Sequence, residues 1–242
     1  MVLNSLNAII DDILLEIRNG DIAESESISR VQIEQWIHQY RALLIKQDLD
    51  KGRTVNPGYV QVINPFEMTL TNPTDIEKYI YESVNEMPKL IDLHYGSGLI
   101  SIRDANGRLI QLGTESKAWL QGNRQFTKND YIAYLKGDKL YAMKWLTNAC
   151  ENTDHTLDTL TNLEVSIIAE DPTAVGKINS KCYDPDETVY PVPANMIPTI
   201  KSFIFAKELA IMLATNTDTT NNAHDDTQSN PMTKTLANAL TE

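Results

Sequence analysis

The spacing of apolar residues along the chain changes twice, and these changes limit the folds that the chain can adopt. Before Gly52, apolar residues recur every three or four positions, as on one face of a helix. Beyond Gly52 they alternate with polar residues, which is typical of strands, and after Val192 a helical pattern returns. The sequence therefore predicts an α+β fold, in which helices from both ends form a bundle and an antiparallel β-rich region is inserted between them.

Two helices are predicted before Gly52. The first begins after Ser5, a residue type that caps helix N-termini, and ends before Gly20. The second begins after Ser29 and ends at Lys51 and Gly52. We expect the two helices to pack as an antiparallel hairpin. Their apolar stripes consist of Leu6, Ile9, Ile10, Ile13, Leu14 and Ile17 in the first helix, and of Ile33, Trp36, Ile37, Tyr40, Leu43 and Leu44 in the second.

The middle of the chain contains several short strand patterns. Residues 59–63 and 67–71 read as two strands separated by Asn64 and Pro65, and residues 165–169 read as a buried strand. Two hairpins are predicted. The first joins residues 99–103 to 108–112 through a turn that contains Asn106 and Gly107, and the second joins 131–135 to 140–145 around Gly137. A single helical turn is expected at residues 72–75. These local pairings favour a sandwich-like or barrel-like sheet.

The C-terminal part of the chain divides into a helix and a polar tail. The pattern predicts domains at residues 1–54 and 193–214 for the bundle, 55–192 for the β-rich insertion, and 215–242 for an extended assembly arm. The end of the arm has a helix-start pattern with a short apolar stripe that could dock in a groove on a neighbour. An accidental periodicity in a floppy terminus is the alternative. The stripe and its start comprise Asn230, Pro231, Met232, Leu236 and Leu240.

Composition excludes several classes of protein. The net charge of −12 argues against a sequence-independent grip on nucleic acid, which requires clustered Lys and Arg. Cys150 and Cys182 match no metal-binding spacing and are expected to be buried or idle thiols in a reducing compartment, with a disulfide as the alternative. No stretch approaches the roughly 18 continuous apolar residues of a membrane span, so no membrane association is expected.

No catalytic pattern is present in the sequence. The four histidines are scattered and form neither a metalloprotease motif nor a Cys–His ligand pair. The Gly96-Ser97-Gly98 stretch lacks the spacing of a nucleophile elbow and is expected to be a tight turn. We therefore predict that the protein is not an enzyme and requires no metal or other cofactor. The histidines are His38, His94, His155 and His224.

The three tryptophans have two possible roles. We expect no Lys or Arg to interleave with them as a platform for stacked bases would require. We therefore expect Trp36, Trp119 and Trp145 to be core residues or anchors between subunits.

Several motifs occur in a fixed order along the chain. They include the string WIHQYRALLIKQD at residues 36–48, Met87-Pro88 and the string AEDP at 169–172. The string YPVP at 190–193 and the closing KEL and DTTNNA strings at 207–209 and 218–223 complete the set. Together these motifs resemble a virion protein of tailed phages that is found widely in crAss-like phages. The resemblance covers most of the chain and is weakest over residues 145–161. The family looks related in architecture to the head-to-tail connector adaptors of short-tailed phages, of the tail tubular or gatekeeper type.

This resemblance implies a structural ring of about twelve copies that binds beneath the portal and continues the DNA channel toward the tail. The implied partners are further copies of the chain, the portal protein, other ring or tail proteins, and double-stranded DNA that passes without specific binding. The ring would be assembled in the cytoplasm of the bacterial host and would take part in genome packaging and DNA ejection as part of the virion neck. The alternative function is a soluble protein-interaction module, or a small acidic enzyme with a site in the β-region.

Two groups of residues are candidates for contacts in such a ring. The acids Asp11, Asp12 and Glu16 are either the solvated face of the first helix or part of a lumen that repels DNA phosphates. The hairpin with Asn106 and Gly107 at its turn is expected to project toward a neighbouring subunit.

Overall fold

The computed structural model describes residues 4–17, 28–71, 77–94, 96–124, 126–146, 160–178 and 184–210. Five α-helices are present in this part of the chain: α1 Leu6–Ile17, α2 Arg30–Asp50, α3 Glu115–Leu120, α4 Pro172–Ile178 and α5 Ile197–Phe203. The first strands are β1 Gln61–Leu70, β2 Lys78–Ser83, β3 Asp92–Leu93, β4 Gly96–Ser97 and β5 Leu99–Asp104. The remaining strands are β6 Leu109–Leu112, β7 Ile132–Lys136, β8 Lys139–Trp145 and β9 Asn162–Ile167.

Helices α1 and α2 contact each other and begin where their capping residues predict. The Ser5 hydroxyl accepts a hydrogen bond from the Ala8 amide, and the Ser29 hydroxyl accepts one from the Val31 amide. The predicted apolar stripe of α1 is buried except at Ile17, which is half-buried. In α2 the stripe is wrong at one position, because Leu43 is exposed.

Seven strands close into a barrel in the order β1-β2-β8-β7-β6-β5-β9. Closure pairs every strand on both sides and leaves no open sheet edge in the barrel. The predicted antiparallel arrangement is correct for every pair except β6 and β7, which run parallel with Gln111 opposite Ile132. This pair is parallel because the connection between the two strands passes through α3 instead of a tight turn.

The first barrel strand differs from the prediction. Residues 61–70 form one strand, in which the Asn64–Pro65 peptide bond is cis and the pairing with β9 shifts register between Ile63 and Phe66. Proline therefore bends the strand without ending it, and the bulge leaves Ile63 and Phe66 both fully buried. The pattern predicts Tyr59 in the first strand, but it lies in a short 3₁₀ turn instead.

Both predicted hairpins are confirmed. Strands β5 and β6 pair with Ile102 opposite Ile110, and β7 and β8 pair with Ala133 opposite Ala142. Gly137 has a φ of +62° in the second turn, a conformation that few other residues adopt. The predicted strand at 165–169 is present as β9, displaced toward the N-terminus. The pattern missed β2, α3, α4 and the short β3–β4 pair, in which Gly96 and Ser97 form a strand opposite Leu93 and Asp92 instead of the expected tight turn. The expected helical turn at 72–75 lies outside the described residues.

The barrel encloses an apolar core, and further apolar clusters lie outside it. Alternate residues of β9, such as Val165 and Ile167, belong to the inner core. Ile168 follows β9 and packs instead with Ile45 of α2 in a second cluster. A third cluster joins Ala118 of α3 to residues of β7 and β8. Helices α2 and α3 therefore pack on different parts of the barrel's outer surface.

The chain forms two compact units, Met1–Ile197 and Pro198–Glu242. The barrel, α1 and α2 belong to the first unit. Helix α5 continues as a π-helix over Ile204–Leu209 in the second. The predicted bundle of N- and C-terminal helices and the predicted domain boundaries therefore stay predictions. Within the described ranges, none of the helices combines the length and the apolar character that crossing a bilayer requires.

Candidate functional site

A fully buried arginine lies between α2 and the barrel. Arg41 occupies the position four residues after Ile37 and four before Ile45, on the apolar face of α2. Its Nε donates to the Pro191 carbonyl at 2.8 Å, and one terminal nitrogen donates to the Ala169 carbonyl at 2.8 Å. The other terminal nitrogen lies 3.4 Å from the carbonyl oxygen of Tyr59. One guanidinium thus joins α2 to the segments before β1, after β9 and before α5.

Tyr190 packs against the same guanidinium. The Arg41 Cζ atom lies 5.8 Å from the centre of the Tyr190 ring, and this ring is fully buried. The Tyr190 hydroxyl and His38 Nδ1 are 2.7 Å apart, and the two rings stack with centroids separated by 5.7 Å. Arg41, Tyr190 and His38 form the cluster that we call the arginine cluster.

Two carboxylates face the outer nitrogen of His38. Its Nε2 lies 3.6 Å from both Glu34 of α2 and Asp171, which precedes α4. The pKa of His38 is lowered, chiefly by burial and further by the Arg41 charge, although the two carboxylates act in the opposite direction. The imidazole is therefore mainly neutral at pH 7, when it can share a hydrogen bond with Tyr190.

The predicted interface residues of the β5–β6 hairpin lie at an exposed turn. The Asp104 carboxylate accepts hydrogen bonds from the Asn106 amide at 2.9 Å and the Arg108 amide at 2.7 Å. Gly107 has a φ of +81°, which explains the glycine there. The turn is thus well ordered, and next to it Leu109 leaves 69% of its surface exposed.

The three predicted lumen acids lie on α1 and differ in their surroundings. The Asp11 carboxylate pairs with Arg30 at 2.5 Å, which ties α1 to the start of α2. Asp12 and Glu16 are exposed. The docking residues predicted in the arm, from Asn230 to Leu240, lie outside the described residues.

The tryptophans behave partly as expected. Trp36 is buried, whereas Trp119 and Trp145 meet edge to face with ring centroids 6.2 Å apart. Lys78 of β2 lies over both rings, with its ammonium 4.4 Å from the centre of Trp119 and 5.3 Å from that of Trp145. The expectation that no basic residue interleaves with the tryptophans is wrong, because Lys117 and Lys144 lie close to Trp119 and Trp145 in the sequence. The fold adds Lys78 from a distant strand.

The described residues contain no group of three or more His, Cys, Asp or Glu side chains that could hold a metal ion. His38 belongs to the arginine cluster, and His94 is exposed near the end of β3. His155, His224 and both cysteines lie outside the described residues. The described geometry therefore offers a buried cluster around Arg41 and several exposed surfaces.

A family model decides the class of protein. The model for "Phage tail ring protein 2" of crAss-like phages matches residues 8–227, which is most of the chain. The chain belongs to this phage tail ring protein family. The ring protein is thus a structural component of a phage virion, in agreement with the coarser part of the resemblance found in the sequence. No match to a curated protein was found.

Two features of the ring protein were missed in the sequence. Arg41 lies within the motif at residues 36–48, and its burial was not predicted. A lone arginine between Ile37 and Ile45 on an apolar stripe nevertheless indicates a buried and hydrogen-bonded charge. The contact of Lys78 with the tryptophans had no such signal, because it depends on the pairing of β2 with β8.

The arginine cluster predicts a large effect of removing its charge. We expect Arg41→Met to lower the free energy of unfolding by about 3 kcal/mol or more, because it leaves three carbonyl groups without this donor. Urea denaturation measures the change. The control is Arg53→Met, which removes an exposed arginine that pairs with Asp48 at 2.5 Å. It should cost at most about 1 kcal/mol. Equal losses in both variants would contradict a special role for Arg41.

The lowered pKa of His38 predicts a pH dependence of stability. The unfolded chain takes up the proton near the ordinary value of 6.5 and the folded chain at lower pH. The contribution of His38 to the free energy of unfolding is therefore fully present above pH 6.5. It is lost as the pH falls toward the pKa that His38 has in the folded chain, by at most about 1.4 kcal/mol per pH unit. His38→Asn should flatten the curve of unfolding free energy against pH in this range. The exposed-site variant His94→Asn should keep the wild-type slope, and a wild-type slope in His38→Asn would contradict the prediction.

Proposed function

We propose that the ring protein is an adaptor of the head-to-tail connector, which binds below the portal and extends the DNA channel to the tail. The observation that carries this proposal is the family match over residues 8–227. The ordered motifs resemble a virion protein of crAss-like phages, and the likeness in architecture between that family and the connector adaptors of short-tailed phages supports the finer placement in the neck. In this role the protein acts by its shape and charge during genome packaging and DNA ejection, and it catalyses no reaction.

Charge is consistent with a channel that DNA traverses without binding. The chain has a net charge of −12, and Asp12 and Glu16 are exposed on α1. In our proposal these acids, with Asp11, face the lumen, where they repel phosphates and keep the genome from adhering. Counterion release, the usual source of nonspecific affinity for DNA, is small for such a surface.

Neighbouring proteins would contact the β5–β6 turn and the arm. Asn106 and Gly107 lie on an ordered and exposed turn, which can project toward another subunit at little entropic cost. The arm at 215–242 would dock its short apolar stripe in a groove of another copy or of the portal. Further copies forming a dodecamer, the portal and other ring or tail proteins are the proposed partners.

The placement predicts a defined copy number in the virion. Quantitative mass spectrometry of purified particles, calibrated against the major capsid protein, should give about twelve copies of the chain per particle. Particles that lack the protein would contradict the proposal. A copy number comparable to that of the capsid protein would also contradict it, because a ring at one vertex contributes few chains.

The arm predicts a separation of folding from assembly. Deleting residues 230–242 should leave the melting temperature of the isolated chain unchanged, because so short a helix contributes no stability by itself. Incorporation into particles, measured by complementing a phage that lacks the gene, should fall.

A matched pair of triple variants tests the apolar stripe itself. Replacing Met232, Leu236 and Leu240 by serine should reproduce the loss of incorporation caused by the deletion. Replacing the interleaved Thr233, Thr235 and Asn238 by serine should not. Normal incorporation of the truncated chain would rule out the arm as an assembly element.

A further inference from the structure

Helix α3 and the segment that follows it expose three large apolar side chains, Trp119 and Leu120 on the helix and Phe126 six residues beyond its end. Trp119 is 43% exposed, Leu120 62% and Phe126 92%, whereas Ala118 on the inner side of the helix is buried against β7 and β8. We call Trp119, Leu120 and Phe126 the α3 face. Exposed aromatic and aliphatic side chains that cluster in this way mark sites of protein association.

Hydrogen bonds hold the α3 face in a defined shape. The side-chain amide of Gln121, a buried residue, donates from its Nε2 to the backbone carbonyls of Thr127 and Asp130. These bonds connect the turn that follows Phe126 to the end of α3. The Trp145 indole donates to the Ala118 carbonyl at 3.0 Å and packs over Gly122, where a Cβ atom would come within 2.8 Å of the ring. Little side-chain and loop entropy is therefore lost when a partner covers this face.

The α3 face lies in the most basic part of an acidic chain. Residues 115–146 contain six Lys and Arg against three Asp and Glu, although the whole chain carries a net charge of −12. Lys117, Arg124 and Lys128 lie on α3 and on the segment that follows it. A partner with exposed acids and apolar side chains would complement this surface.

The chain itself provides such a surface at residues 184–189, which we call the acidic segment. It contains Asp184, Asp186 and Glu187 with no basic residue, and its Val189 is 58% exposed. The segment lies beside the start of α1. The backbone amide of Asn7 donates to the Pro185 carbonyl at 3.2 Å, and Ser5 pairs with Val189 in an isolated antiparallel β-bridge.

The two surfaces lie on different sides of the barrel. The acidic segment leads directly into Tyr190 of the arginine cluster, which is joined to the ends of β9 and β1 through Ala169 and Tyr59. Helix α3 covers β7 and β8. In the closed order of strands, β8 is two strands from β1, and β7 is three strands from β9. The neighbouring strands β7 and β8 therefore lie across the barrel from the neighbouring strands β9 and β1. A ring of more than two copies requires such a pair of different surfaces on each subunit.

We infer that the α3 face of each subunit packs against the acidic segment of the next copy in the ring. This inference rests on the proposed function in one respect, that copies of the chain form a ring. The apolar side chains of the α3 face meet Val189, and Lys117, Arg124 and Lys128 lie near the three acids. Burial of the apolar side chains stabilises the contact, and the opposite charges set its register.

Site-specific photo-crosslinking in assembled particles tests the contact. A photoreactive phenylalanine analogue replaces Leu120 in the full chain, which is supplied to a phage that lacks the gene. We expect an adduct with twice the mass of the chain. Its crosslink should map to the tryptic peptide 182–201, which contains the acidic segment between Lys181 and Lys201. The same analogue at Val84, which is 49% exposed after β2, is the control and should not label this peptide.

Other results overturn the inference in distinguishable ways. An adduct with a different phage protein, a double-mass adduct that maps elsewhere, or no adduct in particles that contain the chain would overturn the contact and leave the ring intact. Absence of the wild-type chain from particles would overturn the proposed function as well.

A charge exchange provides a second and independent readout. Arg124→Glu combined with Lys128→Glu should lower incorporation into particles at least tenfold without changing the melting temperature, because Arg124 is exposed and Lys128 is only half-buried. Adding Asp186→Lys and Glu187→Lys should restore incorporation at least in part. Normal incorporation of the first variant, or no restoration in the second, would contradict the pairing of the two surfaces.

Discussion

The hydrogen bonds of Arg41 connect parts of the chain that lie far apart in sequence, and the arrangement of the first unit depends on them. Burying a guanidinium is unfavourable unless its donors find partners, and here carbonyls from three segments accept them. Because these carbonyls precede β1, follow β9 and precede α5, α2 cannot shift without breaking several bonds together. Apolar packing alone, as at Ile45 and Ile168, would hold the helix less specifically.

This constraint matters for a protein of phage tail rings. A ring closes only if each subunit presents its two contact surfaces at a fixed angle, since a small change in rotation produces an open helix instead. The closed barrel supplies one rigid body, and α3 is packed on its wall. Through Tyr190, the arginine cluster attaches the acidic segment to another part of the same barrel. Rigidity between the two surfaces thus follows from interactions within one subunit.

Local patterns predicted much of the fold, and long-range contacts account for what was missed. The helix caps at Ser5 and Ser29 and the two hairpins depend on neighbouring residues, so the sequence reveals them directly. Closure of the barrel and the parallel β6–β7 pair depend on distant segments, which periodicity does not report. For the same reason the sequence does not reveal which carbonyls accept from Arg41 or which rings Lys78 contacts. The exposed hairpin residues were predictable, whereas the α3 face required the position of a helix that the pattern had missed.

A single-particle reconstruction of the virion neck tests the central claim most directly, because it shows both the position of the protein and its contacts. Our account predicts a closed ring of this chain between the portal and the tail, with its barrels side by side. It also predicts that the acids of α1 face the channel and that each α3 face covers the acidic segment of the next subunit. A neck whose rings are all built from other chains would contradict the account.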